Sequence, residues 1–447
     1  MTALPSEHPP RSQRGRSDSR PPVAASALTF ASVGVPAALV AALASSGVVT
    51  PFPIQAATLP DALAGRDILG RAQTGAGKTL GFSLPLVTRL SEGHTMACHP
   101  RGLVLVPTRE LAAQVQAVLA PLAQAADLTV TAIYGGVPQN PQVAALRNRA
   151  DIVIACPGRL ADLIGQGHCH LGDVEITVVD EADQMADLGF LPAVRQLLEA
   201  TPPDGQRMLF SATLDRAVDV LVRRFMNNPA RHTAGPTEAP SAMIHHLLTV
   251  TPDDRTGVLT ALTGGRGRSL VFTRTKHRAH QLARQLTRAG VPAGELHGDL
   301  TQSSRERNLA AFATGATRVM VATDIAARGI HVDGIDLVIH ADSPAEHKAY
   351  LHRAGRTARA GASGTVITLQ TPAQAGEVRS MMRKAHVVPL AATVTPQSAL
   401  LRSISGDPSP PGKPPAPSAP QPEAAPVAQG TGRSAVALSA AFRGRRR

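Results

Sequence analysis

Lysine is nearly missing from this chain. Of 45 basic residues only five are lysine, at positions 78, 276, 348, 384 and 413, so Lys78 stands alone in the first 275 positions. A chain that writes arginine almost everywhere keeps a lone lysine where a compact point charge is needed and a planar fork is not. Tryptophan is absent and aromatics make up 2% of the residues, which argues against gripping nucleic acid by serial base stacking. Three cysteines in 447 residues give no disulfide framework and point to a reducing compartment. Neither His94, Cys98 and His99 nor His168, Cys169 and His170 have a partner pair at structural-zinc spacing, so no metal is expected on them. The charge-free stretch 23–52 contains Gly34, Pro36 and Gly47 and has no second stretch like it, which excludes reading it as a membrane span. The polar, Arg-rich first twenty residues lack the apolar core of a secretory signal.

What the chain does have is positive charge. The formal net charge is +12 and the pI about 10.7, which points to a polyanionic partner such as nucleic acid. Residues 1–22 hold four Arg against two acids, and 396–447 hold seven basic residues against two acids. Seven of the twelve surplus charges therefore sit at the two ends, and contact with the phosphate backbone is the expected mode.

The length predicts two or three domains. Short apolar runs at 68–69, 103–106, 152–155, 176–179 and 208–210 alternate with Ala/Leu-rich helical segments. Uninterrupted apolar strands joined by helices predict a parallel sheet covered on both faces. The pattern lapses between 233 and 243 and resumes at 270–272, 319–321, 337–339 and 366–369. We therefore expect an α/β chain of two parallel-sheet domains, 27–232 and 244–395. Disordered basic tails are expected at 1–26 and 396–447, the second with nine prolines between 408 and 426.

Residues 72–79 organise the rest. They read Ala72, Gln73, Thr74, Gly75, Ala76, Gly77, Lys78, Thr79, between the apolar pair 68–69 and a helix-compatible run. Glycines at 75 and 77 allow a turn whose N–H groups all point inward on phosphate. Lys78 then meets the outer phosphates, and the Thr79 hydroxyl suits Mg²⁺. Asp180-Glu181-Ala182-Asp183 follows the run 176–179, at the strand end where parallel sheets bind ligands. Asp180 suits Mg²⁺ and Glu181 suits orienting an attacking water, although an acidic helix start alone would explain the same residues.

The segment 72–79, Pro107-Thr108-Arg109-Glu110-Leu111, Asp180-Glu181-Ala182-Asp183, Ser211-Ala212-Thr213 and His352-Arg353-Ala354-Gly355-Arg356-Thr357-Ala358-Arg359 occur in this order. In these motifs the chain resembles the DEAD-box RNA helicases, over about 28–370. The resemblance implies two RecA-like domains in series, with ATP and Mg²⁺ on 72–79. It also implies that Phe30 stacks on adenine and Gln55 reads the adenine edge, as a glutamine can pair bidentately with it. Ordinary core packing is the competing reading of Phe30. RNA contacts are implied for Pro107, Thr108, Arg109, Gly135, Gly136, Pro157, Gly158 and Arg159 in the first domain. In the second they are Thr275, His297, Gly298, Asp299, Gln302, Arg305, Thr323 and Asp324, with the 2′-hydroxyl favouring RNA over DNA. Asp183, Ser211, Thr213 and His352 would couple the acidic motif to the interface. Arg356 and Arg359 resemble arginine fingers on the second domain, which ties hydrolysis to closure.

The pattern also has departures. Ala72 replaces a glycine, Val48 an aromatic, Phe52 a Thr or Ser, Cys156 a Thr and Ala358 a glycine. His331 stands where an Asp contacts the ATP ribose; either its imidazole takes that hydrogen bond or Asp333 substitutes for it. The resemblance implies an ATP-dependent RNA helicase: cytoplasmic, monomeric, sequence-independent, off the membrane, and working in settings such as ribosomal or RNA-decay complexes. An ATP-gated RNA clamp with little unwinding and a DNA helicase are the rival readings.

Overall fold

The computed structural model describes residues 28–72, 75–234, 243–327, 332, 334–358 and 363–406. The N-terminal tail to residue 26, Gln73, Thr74, most of the linker, His331, Arg359 and the chain from 407 lie outside the described residues.

Two seven-stranded sheets form among them. The first contains β1 (Ile68–Arg71), β2 (Gly102–Leu105), β3 (Val130–Ile133), β4 (Ile152–Ala155), β5 (Ile176–Asp180), β6 (Gln206–Ser211) and β7 (Ala230–Thr233), in the order β3-β4-β2-β5-β6-β1-β7. The second contains β8 (Met243–Thr249), β9 (Ser269–Thr273), β10 (Ala293–Leu296), β11 (Val319–Thr323), β12 (Leu337–His340), β13 (Gly364–Gln370) and β14 (Leu390–Thr393), in the order β10-β11-β9-β12-β13-β8-β14. All pairings are parallel. Adding seven to each strand number of the first order gives the second, so the two lobes share one topology. No helix among the described residues is long and apolar enough to cross a membrane.

Alternation along each strand feeds two core layers. Val104 of β2 packs into the layer with Ile54, Phe82 and Phe210, while Leu103 and Leu105 face the layer with Val153, Leu160 and Leu197. In the second lobe Leu270 and Phe272 point one way and Val271 the other. Both faces are covered by helices, which is why these strands read as unbroken apolar runs. Nine runs expected from sequence are β1, β2, β4, β5, β6, β9, β11, β12 and β13. The five strands without such a run are β8 and the four sheet edges, β3, β7, β10 and β14. An edge strand is open on one side and keeps polar residues there. Thus β7 reads Ala-Arg-His-Thr and β14 leaves Leu390 exposed.

The expected tail begins too early at 396. Helix Ala399–Ser405 seats Leu401, 1% exposed, on the second lobe's core beside Leu259 and Leu262. Its one apolar turn is too short to show against the proline-rich stretch that follows.

The second lobe also buries histidines. His340 is fully buried, its Nδ1 3.1 Å from Thr368 Oγ1 and its Nε2 without a partner. Tyr350 lies edge-on to it, and the Tyr350 hydroxyl sits 2.7 Å from His245 Nδ1. Burial first, then the nearby Arg353 and His245, hold the His340 pKa well below 6.5; burial also lowers His245 and His246. The unfolded chain therefore takes up protons below about pH 6.5 that the folded lobe refuses. Stability is full above that pH and falls as the pH drops toward the depressed folded values. We expect the thermal midpoint to fall by several degrees between about pH 7 and pH 5, and His340→Phe to flatten the dependence. A pH-independent midpoint for the native chain would contradict this.

Candidate nucleotide and nucleic-acid site

In a parallel sheet every strand delivers its following loop to the same edge. Along this edge the first lobe divides its work. The neighbours β5, β6 and β1 lead into Asp180, Ser211 and the 72–79 loop, while β3, β4 and β2 lead into Gly135, Cys156 and Pro107.

Gly75 and Gly77 have φ of 90° and 81°, the left-handed region that favours glycine. At Gly77 a Cβ would also lie 2.5 Å from Gln55 Nε2 and 2.7 Å from a Phe52 ring carbon. Lys78 opens helix Lys78–Leu90 and is 5% exposed. Its Nζ donates to the Ala72 carbonyl at 3.2 Å and to Glu181 Oε1 at 3.0 Å. Burial alone would lower its pKa, but Glu181, Asp180 and Asp183 more than reverse that and hold it above the ordinary lysine value. Asp180 is 2% exposed. Burial pushes its carboxyl up, against the pull of Lys78, so a second cation beside it would stabilise its charged form. The Glu181 N–H donates to Asp180 Oδ1 at 2.9 Å, and Glu181 itself has φ 53° and ψ 48°. A non-glycine residue in this conformation stores strain at the turn.

Asp183 joins this turn to β6. Its Oδ2 accepts from the Thr213 N–H at 2.8 Å and from Thr213 Oγ1 at 2.9 Å, and its own N–H donates to Ser211 Oγ at 3.2 Å. The structure thus brings three of the expected coupling residues into contact. Any shift of the acidic turn is felt at the end of β6.

Gln55 is 1% exposed and doubly engaged. Its Oε1 accepts from the Phe52 N–H at 2.9 Å and its Nε2 donates to the Gly77 carbonyl at 2.8 Å. It therefore braces the phosphate loop. Phe30, 1% exposed, packs in the core with Val33 and Val35. The exposed ring on this side is Phe52, at 45%, over Gly77.

On the other half of the edge, Thr108 caps helix Arg109–Gln124, its hydroxyl accepting from the Leu111 N–H at 3.3 Å. The Arg109 guanidinium lies where a Cβ on Gly136 would be and also donates to Gln302 Oε1 at 3.4 Å. Arg159 donates to the Val137 carbonyl at 3.4 Å. Gly158 and Gly298 are exposed, whereas Pro157 is buried. In the second lobe Thr275 caps helix Lys276–Arg288, and Thr323 ends β11. The Arg305 charge is not turned to solvent: its Nε and guanidinium both sit 2.7 Å from Glu110 Oε1 of the first lobe.

Two more contacts join the lobes among the described residues, the Lys348–Asp215 ion pair at 2.7 Å and His352 Nδ1 at 3.9 Å from Asp187 Oδ2. In all three the acid belongs to the first lobe and the base to the second. Sequence reasoning gave no role to Glu110, Asp187, Asp215 or Lys348. The scarcity of lysine that singled out Lys78 was a signal for Lys348 as well. Arg353 forks onto Asp324 at 2.6 and 2.7 Å and donates to the Asp342 carbonyl at 2.7 Å, while Arg356 nearby is 8% exposed.

Two lobes of one topology, the first carrying a lysine-bearing phosphate loop backed by an acidic turn, define a tandem nucleotide-binding α/β protein. Comparison narrows this. The DEAD/DEAH box helicase family model matches residues 52–221, and the helicase conserved C-terminal domain matches 254–361. The Arabidopsis thaliana DEAD-box ATP-dependent RNA helicase 20 is 38% identical over 356 residues, covering 78% of this chain and 71% of the relative. The chain belongs to the DEAD-box helicase family. Arabidopsis thaliana DEAD-box ATP-dependent RNA helicase 30 is 39% identical over 84% of this chain, and this chain spans 64% of it; for a Zea mays chloroplastic relative, 3A, the span is 49%. S. cerevisiae Dbp5 bound to RNA and ADP BeF3 superposes with a TM-score of 0.73 at 27% identity, over 84% of this chain and 99% of that one. The fold is the tandem RecA-like arrangement.

Removing the Glu110 charge strands a nearly buried guanidinium. Glu110→Gln should shift the lobes away from this arrangement by about 1.5–3 kcal/mol, tenfold or more in population. Energy transfer between dyes at the exposed positions Val49 and Val388 reads it. An unchanged transfer efficiency would mean that the pair does not hold the lobes.

Proposed function

We propose that this protein is an ATP-dependent RNA helicase that turns over ATP when RNA closes its two lobes. The observation that supports this most is Lys78, buried against Glu181 at 3.0 Å with Asp183 fastened to Thr213. That is a phosphate site with a built-in connection to the adjacent strand. Dbp5 bound to RNA and ADP BeF3 supplies the analogy for substrate and polymer.

In this reading ATP lies on 72–79, with its outer phosphates exchanging for Glu181 as the partner of Lys78. The donors fit a hard divalent cation: an oxygen of Thr79 and the buried carboxylate of Asp180, whose charged form burial disfavours. When bound, Mg²⁺ would neutralise charge developing on the phosphates. Glu181, released from Lys78, orients a water on the γ-phosphorus. The new P–O bond forms as the β–γ bridging bond breaks, and ADP and phosphate leave. Arg356 and Arg359 supply positive charge from the second lobe only on closure, a contribution of about 10³–10⁵ in rate for fingers of this kind.

RNA would run along the β3-β4-β2 and β10-β11-β9 halves of the two edges. Pro107, Thr108, Arg109, Gly135, Gly136, Pro157, Gly158, Arg159, Thr275, Gly298, Gln302 and Thr323 are its contacts. Arg305, held on Glu110, positions the lobes instead. The two lobes, the second reaching through helix Ala399–Ser405, act as one monomeric clamp that bends one strand away from its duplex partner. A cytoplasmic setting, with ribosomal or RNA-decay complexes as partners, belongs to this reading.

Lys78→Ala should abolish RNA-stimulated ATPase, and Glu181→Gln should lower kcat by about 10²–10⁴ while ATP still binds. ATP turnover that ignores added single-stranded RNA would end the reading. Phe52→Ala should raise KM for ATP several-fold, the scale of one lost base stack, whereas Phe30→Ala should first lower the thermal midpoint. The reverse pattern would return the adenine to Phe30.

A further inference from the structure

We infer that His280, Glu295 and His297 form a binding site for one first-row transition-metal ion of the Zn²⁺ type on the second lobe. Glu295 lies in β10 and His297 directly follows it, two residues on, so both point to one side of the extended backbone. Helix Lys276–Arg288 packs against β10 and brings His280 to them. The three candidate ligand atoms lie within 4.8 Å of one another. Glu295 Oε2 is 2.8 Å from His280 Nδ1 and 3.4 Å from His297 Nε2. Two imidazoles and one carboxylate with an open fourth position make a donor set for Zn²⁺ and its neighbours. It is the wrong set for Mg²⁺ or Ca²⁺, which prefer oxygen throughout.

A simple surface ion pair accounts for His280 and Glu295, but the longer 3.4 Å approach of His297 Nε2 to that carboxylate gives it no hydrogen bond. That residue is 6% exposed, and neither of its ring nitrogens makes a hydrogen bond. A buried imidazole with no hydrogen bond is costly, and a metal on Nε2 removes the part of that cost that falls on Nε2. The backbone beneath is already fixed. Asn308 donates to the Glu295 carbonyl at 2.9 Å, and Arg305 donates to the His297 carbonyl at 3.3 Å. His280, on the solvent side, is the ligand left to complete the site, with water in the fourth position. An ion there fastens helix Lys276–Arg288 to the end of β10, next to the Arg305 that reaches Glu110.

The test reads metal alone and is independent of the ATPase reading. The full chain, prepared without a histidine tag and stripped with a chelator, is titrated with ZnCl₂ against a chromophoric competitor. Co²⁺ absorbance is recorded in parallel. The expected result is one ion per chain at about micromolar Kd or tighter. His280→Ala and Glu295→Gln should each weaken it by at least about tenfold, with metal-free thermal midpoints near the native one. His280 is exposed and pairs with Glu295, so its truncation leaves the core intact, and Glu295→Gln decides the matter if it does not. Native binding no tighter than millimolar, or native-like binding in both variants, would overturn the site.

Discussion

Lys78 and Glu181 sit 3.0 Å apart beneath the surface, and the arrangement of the site follows from that pairing. A buried lysine needs negative charge nearby, and the acidic turn supplies more than one neighbour. The excess falls on Asp180, whose carboxyl burial pushes upward. A polyphosphate and a divalent cation entering together would exchange these partners at little net cost in buried charge. Either one alone would leave the pocket out of balance. The strained Glu181 backbone places its side chain on Lys78 without lengthening the turn, and the Asp183 contacts carry any movement to β6.

The sheet edge does the sorting. One strand direction places all the loops on one side, and the strand order decides which loops are neighbours. Phosphate and acid motifs 100 residues apart meet because β1 and β5 flank β6. The first lobe's candidate RNA residues gather for the same reason on β3, β4 and β2. The second lobe repeats the order, so its half-edge β10-β11-β9 is the counterpart of that surface. The repeat is invisible in the residues, since RecA-like topology is specified by apolar spacing and connection length and not by identities.

Much of this was legible in the sequence. Strands buried on both faces announce themselves as apolar runs, and the glycines of the phosphate loop carry their own backbone argument. Edge strands did not show, because partial exposure removes the run, and β8 hid behind His245 and His246. At the site, sequence gave the contacts within each motif but not those between motifs. Gln55 reads as a base-recognition residue from sequence, and its amide also braces Gly77, a contact that no local pattern announces. Arg305 reads as an RNA contact from sequence, and the structure adds its ion pair with Glu110. Such long-range partners depend on lobe placement, which no local pattern encodes.

Among the described residues, the ion pairs Glu110–Arg305 and Asp215–Lys348 cross between the lobes in the same sense, the acid on the first lobe and the base on the second. The junction is therefore polarised, like a capacitor with one sign on each plate, and small ions discharge the exposed part of it. If the protein works as the proposed clamp, potassium or magnesium salts would act twice, loosening the junction as well as competing for the polymer. An affinity measured against ionic strength then contains a conformational contribution that counterion release at phosphates does not cover.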